Sequence, residues 1–258
     1  MPYVLDLVRL ATSALLGQDE HTEQAVTASE ICTAILKGYR QGLAAPQPIV
    51  LDRDHMWLRE LVVVPDADRT EFWADFAKLE DKPAPARYRK AIEAAMPVPK
   101  LVITTARRSA GAGSLGRPRW VGLADWRGAP VIREAKALVV SAWDRAHRRK
   151  AAKIRVAELI DGRFRAIDPW NRIDGQLVMR RLSPNNRKLE AETNQAAFFT
   201  SDMLHMMGFE LANVHLAKVK RGVAICGDLD KRKRGWLAAS ARTATAAVAQ
   251  DFKDWKAG

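Results

Sequence analysis

Gly111, Gly113, Ser114 and Gly116 belong to the stretch Gly-Ala-Gly-Ser-Leu-Gly, the part of the chain whose residue types and spacing best suit holding a ligand. Closely spaced glycines let a backbone approach a ligand and adopt positive φ. Successive backbone N–H groups in such a loop can surround phosphate oxygens. Two readings stand side by side: a phosphate-holding loop, or a flexible hairpin loop. Two cations follow in Arg133-Glu134-Ala135-Lys136. On a strand, Glu134 and Lys136 share a face and Arg133 takes the other, so only one of the two cations can turn toward the loop. The plainer reading of this run is a strand edge with solvated charges. Arg180 and Arg181 form a further pair. One of two adjacent arginines on a strand faces inward and needs an anion or a carboxylate, and a structural ion pair is its ordinary explanation.

The elements that must position these residues read as strands. Residues 101–105 (Leu-Val-Ile-Thr-Thr) favour β structure, residues 119–126 give a second strand, and Arg127-Gly128-Ala129-Pro130 a turn into a short third strand over 131–134. A glycine-rich loop between two antiparallel strands, followed by a strand carrying a cation, is the layout with which protein kinases cover ATP phosphates. Rossmann and Walker loops instead lead directly into a helix, whereas here Pro118 and a β-run follow. The first hundred residues read as helical, with helices over 2–16, 27–42, 52–64, 66–79 and 86–95, residues 61–64 being readable as a strand instead. Thr27-Ala28-Ser29-Glu30 fits a capping box. A basic helix is expected over 143–160, extended chain over 163–167 and 176–182, and a long helix over 198–219. A basic loop over 218–234 and an alanine-rich helix over 237–255 complete the reading.

The 258 residues suffice for a substantial core, and 48% hydrophobic content marks the chain as globular. The formal charge of +12 suits anionic partners, namely nucleotides, nucleic acid or acidic headgroups. No stretch approaches the ~20 uncharged apolar residues of a membrane span. With Asp6 and Arg9 interrupting the apolar N-terminus, the expected location is the cytoplasm. Cys32 and Cys226 make no disulfide framework, and the five histidines have no metal-ligand spacing. The basic clusters over 145–155 and 218–234 carry few interleaved aromatics for base stacking, and each reads as a nucleic-acid contact or a solvated face.

Taken in order, several blocks resemble the bacterial family catalogued as domain of unknown function 2252. They are residues 5–13 (Leu-Asp-Leu-Val-Arg-Leu-Ala-Thr-Ser), the 110–116 glycine loop, Ile132-Arg133-Glu134-Ala135-Lys136, residues 179–184 (Met-Arg-Arg-Leu-Ser-Pro), and Leu204 to His215. The resemblance implies a protein-kinase-like α+β fold, with a small antiparallel sheet flanked by helical segments. It divides the chain into a helical part over 1–99, a β-meander over 100–182 and a C-terminal helical part over 183–258, within one compact domain. It also implies nucleotide binding, with ATP and Mg²⁺ as the cofactor, through Gly111, Gly113, Ser114 and Gly116, and with Arg133 or Lys136 neutralising charge. Two departures qualify it. The family's lysine position holds Arg133. The Gly-Asp-x-His-x-x-Asn and acidic stretches, which in that family precede the Asp-Leu-x-Arg-Leu helix, have no counterpart here; Gly227-Asp228 lies elsewhere and lacks the His and Asn. The expectation is therefore a nucleotide binder impaired as a phosphotransferase, or a truncated one. The alternative is a basic nucleic-acid- or partner-binding module without enzymatic activity.

Overall fold

The computed structural model describes the chain except for residues 1, 19–25, 52, 110–117, 148–153, 187–196 and 218–220, and the side chain of Glu60. The described residues form an α+β protein with one five-stranded antiparallel sheet and ten helices. The helices are α1 (Tyr3–Leu16), α2 (Ala28–Ala44), α3 (Met56–Val62), α4 (Asp66–Ala77), α5 (Ala86–Ala94), α6 (Ala142–Ala146), α7 (Val156–Ile160), α8 (Ser201–Leu216), α9 (Gly222–Asp230) and α10 (Trp236–Ala257). The strands are β1 (Thr104–Arg107), β2 (Arg119–Trp126), β3 (Ala129–Ala137), β4 (Arg172–Asp174) and β5 (Leu177–Leu182), in spatial order β1-β2-β3-β5-β4. None of the described helices is long and apolar enough to cross a membrane.

Two compact units emerge, and they cut across the three segments 1–99, 100–182 and 183–258. One comprises Met1–Leu61, Asp161–Ala166 and Leu189–Gly258; the other comprises Val62–Ile160 and Ile167–Lys188.

The helical unit is organised by α2 against α8. The expected capping box starts α2: Thr27 Oγ1 accepts from the Glu30 amide at 3.2 Å, and Glu30 Oε2 accepts from the Thr27 amide at 2.8 Å. Gly38 and Gly42 lie four residues apart on one face of α2, and Gly208 and Ala212 repeat that spacing on α8. A Cβ at Gly38 would lie 1.8 Å from the His205 carbonyl oxygen, and one at Gly208 would lie 2.1 Å from that of Ile35. The two backbones therefore touch. Ile31, Ile35, Leu204 and Leu237 close the core around this contact, with Leu7 and Ala11 of α1.

The sheet unit is built on the β2–β3 hairpin. Arg127 at φ 57° and Gly128 at φ 78° make its two-residue turn, the left-handed pair that matches the twist of a hairpin. The ladder runs from Trp126 opposite Ala129 to Arg119 opposite Lys136, so β3 is longer than the expected 131–134. One sheet face packs on Phe76 of α4 through Ala106, Val121 and Ile132. The other packs on Tyr88, Ile92 and Met96 through Trp120, Ala135 and Met179.

Other expectations are corrected. The first strand begins at Thr104, after a left-handed residue at Lys100 (φ 63°). A continuous helix over 143–160 does not form: α6 ends at a cap on His147, residues 154–155 are irregular, and α7 follows. Residues 148–153 of the expected basic helix lie outside the described residues. Residues 163–167 form no strand, and Arg165 N–H closes a turn on the Gly162 carbonyl at 2.9 Å. Residues 222–230 are helix α9 instead of loop, because Leu229 is buried in the helical core with Ile225 packed beside it.

The α2–α8 contact leaves no space for a methyl group. Gly208→Ala is expected to lower stability by about 3 kcal/mol or more, since backbone atoms cannot rotate away. Gly227→Ala, inside α9 with nothing within 4 Å of its added Cβ, is expected to raise stability by up to about 1 kcal/mol. Urea unfolding of both variants checks this.

Candidate functional site

Glu134 lies at the centre of β3 and is fully buried, at 0% exposure. A buried carboxylate needs cations or several donors, and strand register supplies them. Arg180 is its cross-strand partner on β5, and Arg119 sits two positions away on the same face of β2. Arg180 Nε donates to Glu134 Oε1 at 2.7 Å, while Arg119 Nη1 and Arg108 Nη1 each donate to Oε2 at 3.1 Å. Arg108 also lies over the Phe76 ring, which closes this face, at 5.3 Å. Exposure rises from Arg119 at 5% through Arg108 at 28% to Arg180 at 45%, so the cluster runs from the interior to solvent. Arg108 and Arg119 stand on either side of residues 110–117. Gly111, Gly113, Ser114 and Gly116 themselves lie outside the described residues.

Lys136 shares the Glu134 face, opposite Arg119, and is half-buried. Arg133 takes the other face. Its Nε donates to the Ala95 carbonyl at 2.8 Å and its Nη1 to the Ile132 carbonyl at 3.0 Å, so it caps the C-terminal end of α5. The Arg133 guanidinium is pulled below the usual arginine value by burial, then by Arg181 and Arg172. Of the arginine pair, Arg180 faces the buried carboxylate, and Arg181, opposite Arg133, is exposed. The sequence reading of 133–136 as a strand edge with solvated charges is corrected: Glu134 and Arg133 are buried, and Arg108 and Arg119 are partners that reading does not name. The available signal was a glutamate in the middle of a strand, one position from Arg133 and two from Lys136. Among the described residues no group of three or more His, Cys, Asp or Glu is placed to hold a metal ion.

The helical unit carries a second polar array. His215 Nδ1 lies 2.7 Å from the Tyr39 hydroxyl and its Nε2 lies 3.2 Å from Asp6 Oδ2. A proton on Nε2 fits both contacts, with Tyr39 donating to Nδ1 and His215 donating to the carboxylate. Tyr3 stacks parallel to Tyr39 at 6.1 Å between centroids, and its hydroxyl donates to Asp228, which also accepts from Arg232 Nε at 2.9 Å. Hydrogen bonds from Tyr3 and Arg232 hold the Asp228 carboxyl below its ordinary range. Tyr39 is fully buried, which suits a structural tie between α1, α2 and α8 better than nucleophilic chemistry. In the same unit, Met203, Met206, Met207, Leu211, Arg9 and Val248 border a groove of about 930 Å³.

No family model, no curated protein and no solved structure matches the chain.

Glu134→Gln is expected to cost about 3–5 kcal/mol, the penalty for removing one partner of a buried ionic cluster. Denaturant unfolding with Arg107→Gln, an exposed arginine at the end of β1, as the control checks this. A second prediction concerns alkali. Burial, then the neighbouring Tyr3 and Asp6, raises the Tyr39 phenol well above its ordinary value. The folded chain keeps a proton that the unfolded chain releases near pH ~10, so stability is full below that pH and is lost as pH rises past it. Tyr39→Phe is expected to flatten the decline of Tm between pH ~9 and ~11.

Proposed function

We propose that this is a kinase-like nucleotide-binding protein that takes the phosphates of ATP at the positive cluster beside residues 111–116. The observation that carries the reading is the convergence on Glu134 of Arg108 and Arg119, which bracket residues 110–117, together with Arg180. In this reading the backbone N–H groups of Gly111, Gly113, Ser114 and Gly116 hold phosphate oxygens. Arg180, the most exposed of the three arginines, meets the bound anion, and Lys136 adds charge from the same strand face. Glu134 orients the guanidiniums and keeps the cluster from repelling itself apart. Mg²⁺ arrives with the nucleotide, held by phosphate oxygens and water. The activity proposed for these residues is nucleotide binding, in a protein that is impaired or truncated as a phosphotransferase.

Calorimetric titration with ATP, with and without Mg²⁺, tests the reading. Binding is expected to weaken about 10-fold or more in Arg180→Ala, the loss of one charge-assisted hydrogen bond. In Gly113→Val it should vanish with the unfolding midpoint unchanged. Absence of heat up to millimolar nucleotide, or equal affinity in all three proteins, rejects it.

A further inference from the structure

The sheet face opposite Glu134 is covered by α5 at one end. Strand register places three arginines on this face, Arg133 buried and Arg172 and Arg181 exposed. Arg133 and Arg181 are directly opposite each other on β3 and β5, and Arg172 on β4 is opposite Met179, one pleat from Arg181 on the same face. Like charges directly across a ladder repel. Among the described residues none of the three is paired with a carboxylate within 4.0 Å. Asp168 Oδ1 accepts from the Trp170 amide at 2.9 Å, and Asp174 shares the face of Arg172 two residues along β4. Three arginines beside one such carboxylate leave the patch net cationic.

An aromatic ring is part of the same patch. The Arg133 guanidinium lies 4.8 Å from the Trp170 ring centroid, and Trp170 remains 38% exposed. Arg133 is itself fixed by the Ala95 and Ile132 carbonyls, so the ring is backed by an immobile cation. About 13 Å along β3, at four residues of ~3.3 Å each, the hairpin end repeats the pairing. There Arg127 lies 5.0 Å from the centroid of Trp126, whose side chain is on the same face as Arg133 by register. An exposed ring, Trp170, and a half-buried one, Trp126, each beside an arginine on an antiparallel sheet, offer what unpaired bases and their phosphates can use. Bases stack on the rings, and guanidiniums meet the backbone. A duplex has its bases stacked internally and offers no free faces to these rings.

We propose that this sheet face binds single-stranded nucleic acid, with Trp170 as the stacking platform and Arg172 and Arg181 as phosphate contacts. The site lies on the opposite face from the cluster around Glu134 and needs neither residues 111–116 nor ATP. The two basic stretches over 145–155 and 218–234 are not part of it.

Fluorescence anisotropy of the full chain tests this, with labelled single strands of about 12 nucleotides, one RNA and one DNA, and a duplex of equal length. Single strands should bind at low salt and weaken markedly toward ~0.15 M. Trp170→Ala and Arg181→Glu, both at exposed positions, should each weaken binding about 10-fold or more, while Arg221→Glu in the other basic stretch should change it less than about 3-fold. The RNA and DNA arms identify which strand is preferred. Absence of binding at low salt, equal or tighter binding of the duplex, or affinities unmoved by Trp170→Ala and Arg181→Glu would each overturn the proposal. ATP titration of Trp170→Ala should match that of the unaltered chain, which separates this site from the nucleotide reading.

Discussion

A single buried carboxylate sets the charge pattern of the sheet unit. Glu134 cannot be left in the interior without cations, and its position at the centre of β3 determines where they must come from: the end of β1, the start of β2 and the middle of β5. The ion cluster ties β2, β3 and β5, and the residue just after β1, together on one face. Because strands alternate, the same register turns Arg133 and Arg181 to the other face, away from that carboxylate. One face thus holds arginines organised around an internal anion, and the other holds arginines with none. The two binding proposals follow from this division.

In the helical unit the governing constraint is steric and not electrostatic. At Gly38, Gly42 and Gly208 the backbones of α2 and α8 approach so closely that side chains are excluded. That approach brings His215 against Tyr39, and the Asp6 contact then fastens α1 to the pair. The polar array is conditional on the glycines: move the helices apart by one methyl group and the 2.7 Å contact is lost.

Much of the architecture was legible because it rests on local chemistry. The Thr27 capping box, the β-run at 119–126 and the helical spacing from Met203 to His215 all formed as their residue types require. The α+β class with a small antiparallel sheet followed from them. What was not legible depended on partners remote in sequence. Helix α9 has glycine at both 222 and 227, and only the core that receives Leu229 makes it a helix. The Arg127-Gly128 turn escaped notice as a two-residue hairpin because arginine rarely adopts positive φ. Alternation placed Glu134 and Arg133 on opposite faces but gave no sign that one face would be closed by Phe76 of α4 and the other by Tyr88, Ile92 and Met96. Trp170, alone among turn-forming residues, acquires its meaning only when Arg133 is found beneath it. Residues 111–116, the most suggestive stretch of the sequence, lie outside the described residues, so their role rests on the arginines that flank them.

The division of the chain into units has a consequence for synthesis. The helical unit is assembled from pieces separated by nearly the whole of the sheet unit. Helix α2 therefore emerges long before the partner that its glycine face requires, with more than 150 residues between Ala44 and Ser201. At ordinary translation rates that interval is roughly 10–30 s. During it, the sheet unit can complete its own ladder while Ile31 and Ile35 stay uncovered. The glycine face of α2 thus meets its partner only once the segment from Ser201 onward has been made, however quickly each helix forms.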